Sequence, residues 1–173
     1  MNQPARAMHP DQPPFPYPAE ANAFLAGHVR LLRLSHRALT GRDLIDGKTD
    51  PGLDDTAAAR ALFEAPFALL SHDTAADPIL TYGNRTLLDL FELDWRHLVA
   101  MPSRLTAEAP DRAERARLLA EVTARGYVED YSGIRISAGG RCFRIERATV
   151  WNLVDQAGIR RGQAAAFGHW TYL

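Results

Sequence analysis

The chain has 173 residues, of which 46 % are hydrophobic and 24 % charged, the composition of one soluble globular domain. A body of about 150 residues buries roughly 70 % of the surface that its unfolded chain exposes, so a core can form without metals or disulfides. The single cysteine, Cys142, excludes an intrachain disulfide framework and favours a reducing compartment.

The formal net charge is −1, but the charges are placed unevenly. Residues 112–161 hold ten arginines against six acidic residues, and Lys48 is the only lysine. Because nucleic-acid binding usually rests on a denser basic cluster, we do not expect a nucleic acid as partner. The sequence has neither an apolar run of about 18 residues nor a secretory signal, which predicts no membrane and a cytoplasmic location.

The first 55 residues divide into three segments. Six prolines within residues 1–18 fix φ and remove amide donors, which predicts a disordered arm. Its Phe15 and Tyr17 offer an alternative, docking on the body or on a partner. Residues 19–40 predict an amphipathic helix, and residues 41–55, with three glycines, a linker. Apolar residues recur on one helix face at intervals of three or four, which makes them interface candidates: Leu25, Val29, Leu32 and Leu39.

The remaining residues predict an α+β fold with a mostly antiparallel sheet. Strands are expected at 67–73 and 79–82, helices at 85–93 and 107–125 with short helical turns between them, and strands at 127–137, 141–154 and 163–170. Apolar side chains occupy both faces of 141–154, so both faces should be covered. The middle helices can cover one face, and helix 19–39 the other, from the same chain or from a second copy.

Six segments of the chain are similar to the MEKHLA family of PAS-like domains. They are P-F-A-L-L-S-H-D (66–73), P-I-L-T-Y-G-N (78–84), M-P-S-R (101–104), Y-S-G-I-R-I-S (131–137), E-R-A-T-V-W (146–151) and Q-A-A-A-F-G-H-W (163–170). The resemblance assigns residues 56–173 to a PAS-like domain. It implies a five-stranded antiparallel sheet with short helices on one face and the N-terminal helix on the other face or on a partner.

The family resemblance also bears on function. In plants a domain of this kind lies at the C-terminal end of the homeodomain-leucine-zipper regulators, where it is linked to signal sensing and dimerisation. The string M-E-K-H-L-A is absent here, so the chain resembles the free-standing bacterial branch. We therefore expect a sensory module that binds a small molecule in an internal cavity and signals through a homodimer or a regulatory protein partner. The alternative is a ligand-free interaction module that only dimerises.

Three cofactor types known for PAS domains can be compared with the sequence. A flavin photosensor needs a reactive cysteine in a short helical turn, but residues 100–105 contain none and Cys142 lies in a predicted strand. A haem sensor often takes its axial histidine from the longer helix, and residues 107–125 contain none, while His97 is isolated. No metal-ligand spacing occurs among the histidines. We expect no flavin–cysteine adduct, no histidine-ligated haem and no bound metal. Reversible flavin binding without an adduct is the open alternative.

Ser71-His72-Asp73 contains the residue types of a hydrolase triad, but on a strand the histidine points away from its two neighbours. The sequence therefore predicts no catalytic residues and no enzyme. Aromatic and polar side chains of the kinds that line small-molecule pockets are the ligand-pocket candidates: Tyr82, Trp95, Arg104, Tyr131, Glu146, Arg147, Thr149, Trp151 and Gln163. The aromatics among them also suit simple core packing. Of Glu146 and Arg147, one is expected to point inward.

Overall fold

Residues 15–45 and 54–173 are described by the structure, a computed structural model of the chain. The helices are α1 (Ala26–Thr40), α2 (Asp55–Phe63), α3 (Arg85–Phe91), α4 (Trp95–Leu98) and α5 (Ala109–Arg125). Short 3-10 helices lie at Glu20–Leu25 and Ser103–Thr106. The strands are β1 (Ala68–His72), β2 (Leu80–Gly83), β3 (Tyr127–Ile136), β4 (Cys142–Val154), β5 (Arg160–Phe167) and β6 (His169–Tyr172).

The strands form one antiparallel sheet in the order β2-β1-β5-β4-β3. Strand β4 is long, so its first part also pairs with β6 while its last part pairs with β5. The predicted α+β class and antiparallel sheet are confirmed. The last predicted strand, 163–170, is two strands instead, because the chain bends at Gly168 between β5 and β6.

Both faces of the sheet are covered, as the pattern in 141–154 predicts. Val150 packs with Leu118 and Val122 of α5 on one face. On the opposite face the His36 ring of α1 meets Trp151 edge-on, with ring centroids 4.9 Å apart. The helix that covers this face therefore belongs to the same chain.

This arrangement corrects part of the predicted interface. Val29 and Leu32 have no exposed surface, because the apolar face of α1 lies on the chain's own core. Leu25 and Leu39 are partly buried against the same core. These four side chains are therefore core-facing residues in this structure, and the open side of α1 carries other apolar groups, among them Leu34, which is 45 % exposed.

The end of the predicted disordered arm packs on the body. The indole Nε1 of Trp95 donates a hydrogen bond of 2.8 Å to the carbonyl oxygen of Phe15. The Tyr17 ring packs edge-on against both Phe63 and Trp95. Prolines fix φ but leave neighbouring aromatic side chains free to dock, so residues 15–18 follow the docking alternative. Residues 1–14 of the arm and 46–53 of the predicted linker lie outside the described residues.

The side chain of Asn84 joins β1, α2 and α3 through hydrogen bonds. Its Oδ1 accepts from the amides of Leu69 in β1 (3.0 Å) and Leu87 in α3 (3.1 Å). Its Nδ2 donates to the carbonyl oxygens of Leu62 (3.1 Å) and Phe67 (2.7 Å). The side chain is fully buried and uses both halves of the amide. Asn84 is the N-cap of α3 and also fixes β1 against α2.

Among the described residues, no helix has both the length and the apolar character needed to cross a lipid bilayer.

Histidines between α1 and the sheet make folding sensitive to acid. Burial lowers the pKa of His28 to about 4 and also lowers the pKa of His36, whereas both groups have a pKa of about 6.5 when unfolded. Between these values the unfolded chain binds protons that the folded chain does not, so stability falls as pH decreases. From pH 7.5 to pH 5, His28 alone is expected to lower the free energy of unfolding by about 2 kcal/mol.

Urea unfolding at the two pH values measures this loss. His28→Gln, which can still bond the Ser71 hydroxyl that lies 2.9 Å from His28 Nε2, should reduce the difference between pH 7.5 and pH 5. His169→Gln, at an exposed site, should leave the difference unchanged. Equal stability of the unaltered protein at both pH values would contradict the expectation.

Candidate ligand pocket

An internal pocket of about 50 Å³ lies between α5 and the inner face of the sheet. Its apolar walls include Leu118 and Leu119 of α5, Val150 of β4 and Ala165 of β5. Its lining also includes polar residues, among them His72, Arg115, Tyr131, Arg135 and Gln163. Apolar walls with a few convergent polar groups are typical of small-molecule sites.

Strand β3 contributes Tyr131 and Arg135 from the same face. Arg135 is 7 % exposed, and its Nη1 donates to the Ile134 carbonyl oxygen at 2.7 Å. Its Nη2 donates to the Tyr131 hydroxyl at 3.3 Å, and the guanidinium lies 5.5 Å from the centroid of that ring. Gly133 makes room for this pair, since a Cβ there would lie 2.3 Å from the Tyr131 oxygen.

Helix α5 contributes Arg115, which enters the pocket from above the sheet. Burial, together with the positive charge of Arg135, lowers the pKa of Arg115 to about 10. None of the ion pairs or hydrogen bonds within the described residues involves the Arg115 guanidinium. The pocket therefore holds two nearby positive charges, and that of Arg115 has no ion-pair or hydrogen-bond partner in the part of the chain that the structure describes.

Strand β1 contributes His72. Its Nδ1 lies 2.8 Å from the carbonyl oxygen of Asp73 and donates to it, which leaves Nε2 as the acceptor of the neutral ring. Nε2 is buried and has no hydrogen-bond partner among the described residues. Burial lowers the pKa of His72, and the charge of Arg115 lowers it further, so the ring is neutral at pH 7. Ser71 points to the other face, towards His28 of α1, as strand alternation predicts.

Gln163 closes one end of the pocket through a network of amides. Its Nε2 lies 3.1 Å from Asn152 Oδ1, 3.1 Å from the Leu119 carbonyl oxygen and 3.0 Å from the Thr123 hydroxyl. Asn152 Nδ2 in turn donates to the Val122 carbonyl oxygen at 3.0 Å. This buried network joins α5 to β4 and β5.

Of the nine predicted pocket residues, Tyr131 and Gln163 line this pocket. Tyr82 and Trp151 are fully buried on the opposite face, where they contact His28 and His36 of α1. Thr149 lies on that face too, because strand alternation places it two residues from Trp151.

Trp95 and Arg104 are also outside the pocket. Trp95 contacts Phe15 and Tyr17 of the N-terminal arm instead. Arg104 is exposed and pairs with Asp77, its Nε lying 3.1 Å from Oδ1. Both residues come from the segment between β2 and α5, of which Phe91 and Thr106 line the pocket while Trp95 and Arg104 do not.

The prediction that Glu146 or Arg147 points inward is wrong. The pairing of β3 with β4 shifts between Tyr131 and Gly133, and Arg147 adopts a φ of +53° at this irregularity. Arg147 is exposed as a result, and Glu146 faces outward opposite His169 of β6. A bulge of this kind interrupts strand alternation and releases a charge that a regular strand would bury.

Sequence reasoning missed His72, Arg115 and Arg135. Alternation along β1 already separates His72 from Ser71, and Tyr131 and Arg135 are four residues apart on one strand, so both could have been assigned to the inner face. The inward position of Arg115 does not follow from the sequence pattern. Helix α5 contains several arginines, and the packing of the helix on the sheet determines which of them faces the pocket.

Within the described residues, no group of three or more histidine, cysteine, aspartate or glutamate side chains is arranged to hold a metal ion.

The sheet order and the helices over its inner face define a PAS-like fold. A PAS domain from Colwellia psychrerythraea matches with a TM-score of 0.56 and 13 % identity, over 67 % of this chain and 93 % of that chain. An RNA-binding light-oxygen-voltage receptor matches with a TM-score of 0.57 and 18 % identity, over 72 % of this chain and 35 % of that chain. At such identities the likeness is one of fold.

A family model for the MEKHLA domain matches residues 26–172, and the chain belongs to this family. The homeobox-leucine zipper protein ATHB-9 of Arabidopsis thaliana is 29 % identical over 150 residues, 84 % of this chain and 17 % of that protein. HOX29 of Oryza sativa subsp. indica, also a homeobox-leucine zipper protein, is 27 % identical over 143 residues, 80 % of this chain and 16 % of that protein. The chain thus spans about a sixth of the length of these relatives.

The family match includes α1. It begins at residue 26, whereas the PAS-like domain is predicted to begin at residue 56. Since α1 supplies the cover of one sheet face, the domain includes it structurally as well. Assignment to a bacterial branch stays a prediction.

Proposed function

We propose that this chain is a sensory module that binds a small molecule in the pocket between α5 and the sheet. The observation that carries the proposal is the buried Nε2 of His72, which lines the pocket and has no hydrogen-bond partner among the described residues. The partly buried guanidinium of Arg115 lines the same pocket and has no ion-pair or hydrogen-bond partner among those residues either. Buried polar atoms are satisfied in most folded proteins, so atoms left without a partner favour a bound ligand.

The size of the pocket favours a ligand of only a few atoms. A buried water needs roughly 10 to 15 Å³ of such space, so about 50 Å³ accommodates about three to five non-hydrogen atoms. Flavin and haem need pockets at the scale of drug-sized ligands, about 300 Å³ or more. Cys142 lies outside the pocket, and burial with the nearby Glu108 charge raises the pKa of its thiol, which disfavours adduct chemistry.

The position of the pocket provides a route for the signal. A ligand there would contact α5 on one side and strands β1 and β3 on the other. It would thereby change the packing of α5 on a sheet whose opposite face holds α1. Partner association at the outer surface is the output that we propose, with no catalytic step.

Nuclear magnetic resonance of the 15N-labelled protein tests ligand binding. We expect millimolar glycolate, acetate, acetamide or ethanol to shift amide signals of pocket residues such as Leu118 and Ala164. Ala165→Leu places a larger side chain in the pocket and should abolish the shifts. Ala166→Leu, one residue along β5 on the opposite face, should retain them. Absence of shifts with all four probes, or equal shifts in Ala165→Leu, would refute the proposal.

A dimerisation module without ligand is the second candidate function, favoured by an open groove of about 1100 Å³ along α1. Leu31, Leu34 and Ala38 line it together with Ile79 and Val154 from the sheet side. We propose that this groove binds a second copy of the chain. In a two-fold dimer the same surface of both copies forms the interface, so one groove on each copy is enough.

Light scattering after size exclusion tests the dimer. Leu34→Glu should convert a dimer into a monomer, since it places a charge in the apolar groove. Leu105→Glu, at another exposed leucine outside the groove, should leave the mass unchanged. A monomeric unaltered protein, or a dimer that persists in Leu34→Glu, would refute this interface.

A further inference from the structure

Arg135, which is buried, and Arg115, which is partly buried, line the pocket without a paired carboxylate among the described residues. The positive charge of Arg135 also contributes to the lowered pKa of Arg115. The ion pairs among the described residues all involve other side chains, and Arg135 is satisfied only by the neutral Ile134 carbonyl and Tyr131 hydroxyl. Charged groups are rarely buried unless they are paired, and like charges in proximity add to that cost.

We infer that the pocket binds a small carboxylate, held by Arg115 and Arg135. This inference rests on the proposed function, since it names the ligand class of the same pocket. A carboxylate offers two oxygens to guanidinium groups that still have free N–H donors. It also supplies the negative charge that the described side chains around the two arginines do not.

His72 adds a second requirement on the ligand. Because Nδ1–H donates to the Asp73 carbonyl oxygen, the buried Nε2 presents a lone pair to the pocket and needs a donor. A carboxylate oxygen cannot donate, but a hydroxyl group can. The ligand class that satisfies both arginines and the histidine is therefore a small hydroxy carboxylate, and glycolate, with five non-hydrogen atoms, suits a volume of about 50 Å³.

Calorimetric titration with three probes at constant ionic strength in sodium chloride tests the ligand class. Very small ligands gain at most about 1.5 kcal/mol per non-hydrogen atom, so titrations should run from micromolar to tens of millimolar probe. We expect glycolate to bind more tightly than acetate, and glycolamide at least tenfold more weakly than glycolate. Glycolamide binding as tightly as glycolate would overturn the charge requirement while leaving small-molecule binding intact. Equal binding of acetate and glycolate would overturn the role of His72.

A pair of arginine variants on the same helix tests the residue assignment. Arg115→Gln should weaken glycolate binding at least tenfold, whereas Arg117→Gln, at an exposed position on α5, should change it less than twofold. Arg115→Gln should also raise the melting temperature of the free protein, because it removes one of two adjacent like charges. Arg115→Lys keeps the charge without the planar fork and should retain intermediate affinity. Equal affinity of the two glutamine variants would refute the assignment.

Discussion

Replacing Asn84 with alanine is expected to lower the free energy of unfolding by about 3 to 5 kcal/mol. The substitution removes the N-cap of α3 and the side-chain partner of the Leu69 amide and the Phe67 carbonyl, while the Leu62 carbonyl keeps its bond from the Ala65 amide. Each buried polar group left unsatisfied costs about 1 to 3 kcal/mol, and the loss of a cap adds about 1 kcal/mol. Urea denaturation followed by circular dichroism measures the change.

Two further variants separate the capping effect from the buried network. Asn84→Asp keeps the acceptor of the cap but turns both donated hydrogen bonds into contacts between oxygens, so it should be nearly as destabilising as alanine. Asn22→Ala removes an asparagine that makes two local hydrogen bonds near the surface, and about 1 kcal/mol is expected. If Asn84→Ala costs no more than Asn22→Ala, Asn84 does not join the three elements as described.

Gly162→Ala is expected to destabilise the protein by about 4 kcal/mol or more. Gly162 has a φ of +150°, and a Cβ there would lie 1.9 Å from the carbonyl oxygen of His72. Because that atom belongs to the backbone of β1, the clash is relieved only if β1 and β5 separate. Separation would also displace the imidazole of His72 from the pocket.

Gly158→Ala is the matched control for that substitution. Gly158 also has a positive φ, +77°, but a Cβ there would have no atom within 4 Å. Its alanine variant therefore carries only the conformational cost, about 1 to 2 kcal/mol. Thermal unfolding of both variants compares the two costs. Equal losses at Gly158 and Gly162 would show that β1 and β5 do not approach each other this closely.

Much of the fold was predictable because its determinants are local. The spacing of apolar residues in α1, the asparagine that begins α3 and the glycine after α5 each act over a few residues. Apolar side chains on both faces of β4 indicated two layers of cover. The sequence does not determine whether the covering helix comes from the same chain or from a second copy. The contact of His36 with Trp151, two residues far apart in the sequence, shows that it comes from the same chain.

The pocket was less predictable, since it depends on which polar side chains packing turns inward. A bulge moved Arg147 outward, and alternation placed Tyr82 and Trp151 beneath α1 rather than in the pocket. The inward position of Arg115 follows from how α5 lies across the sheet, and residue spacing alone does not determine that. Aromatic side chains on the opposite face were predicted to line the pocket, because aromatic residues suit core packing as well as ligand contact.

A crystal structure of the protein grown with sodium glycolate tests the central claim most directly. We expect density for one glycolate between α5 and the sheet, with its carboxylate bonded to Arg115 and Arg135 and its hydroxyl donating to His72 Nε2. A pocket closed by protein side chains, with Arg115 turned to solvent and no bound glycolate, would contradict the account.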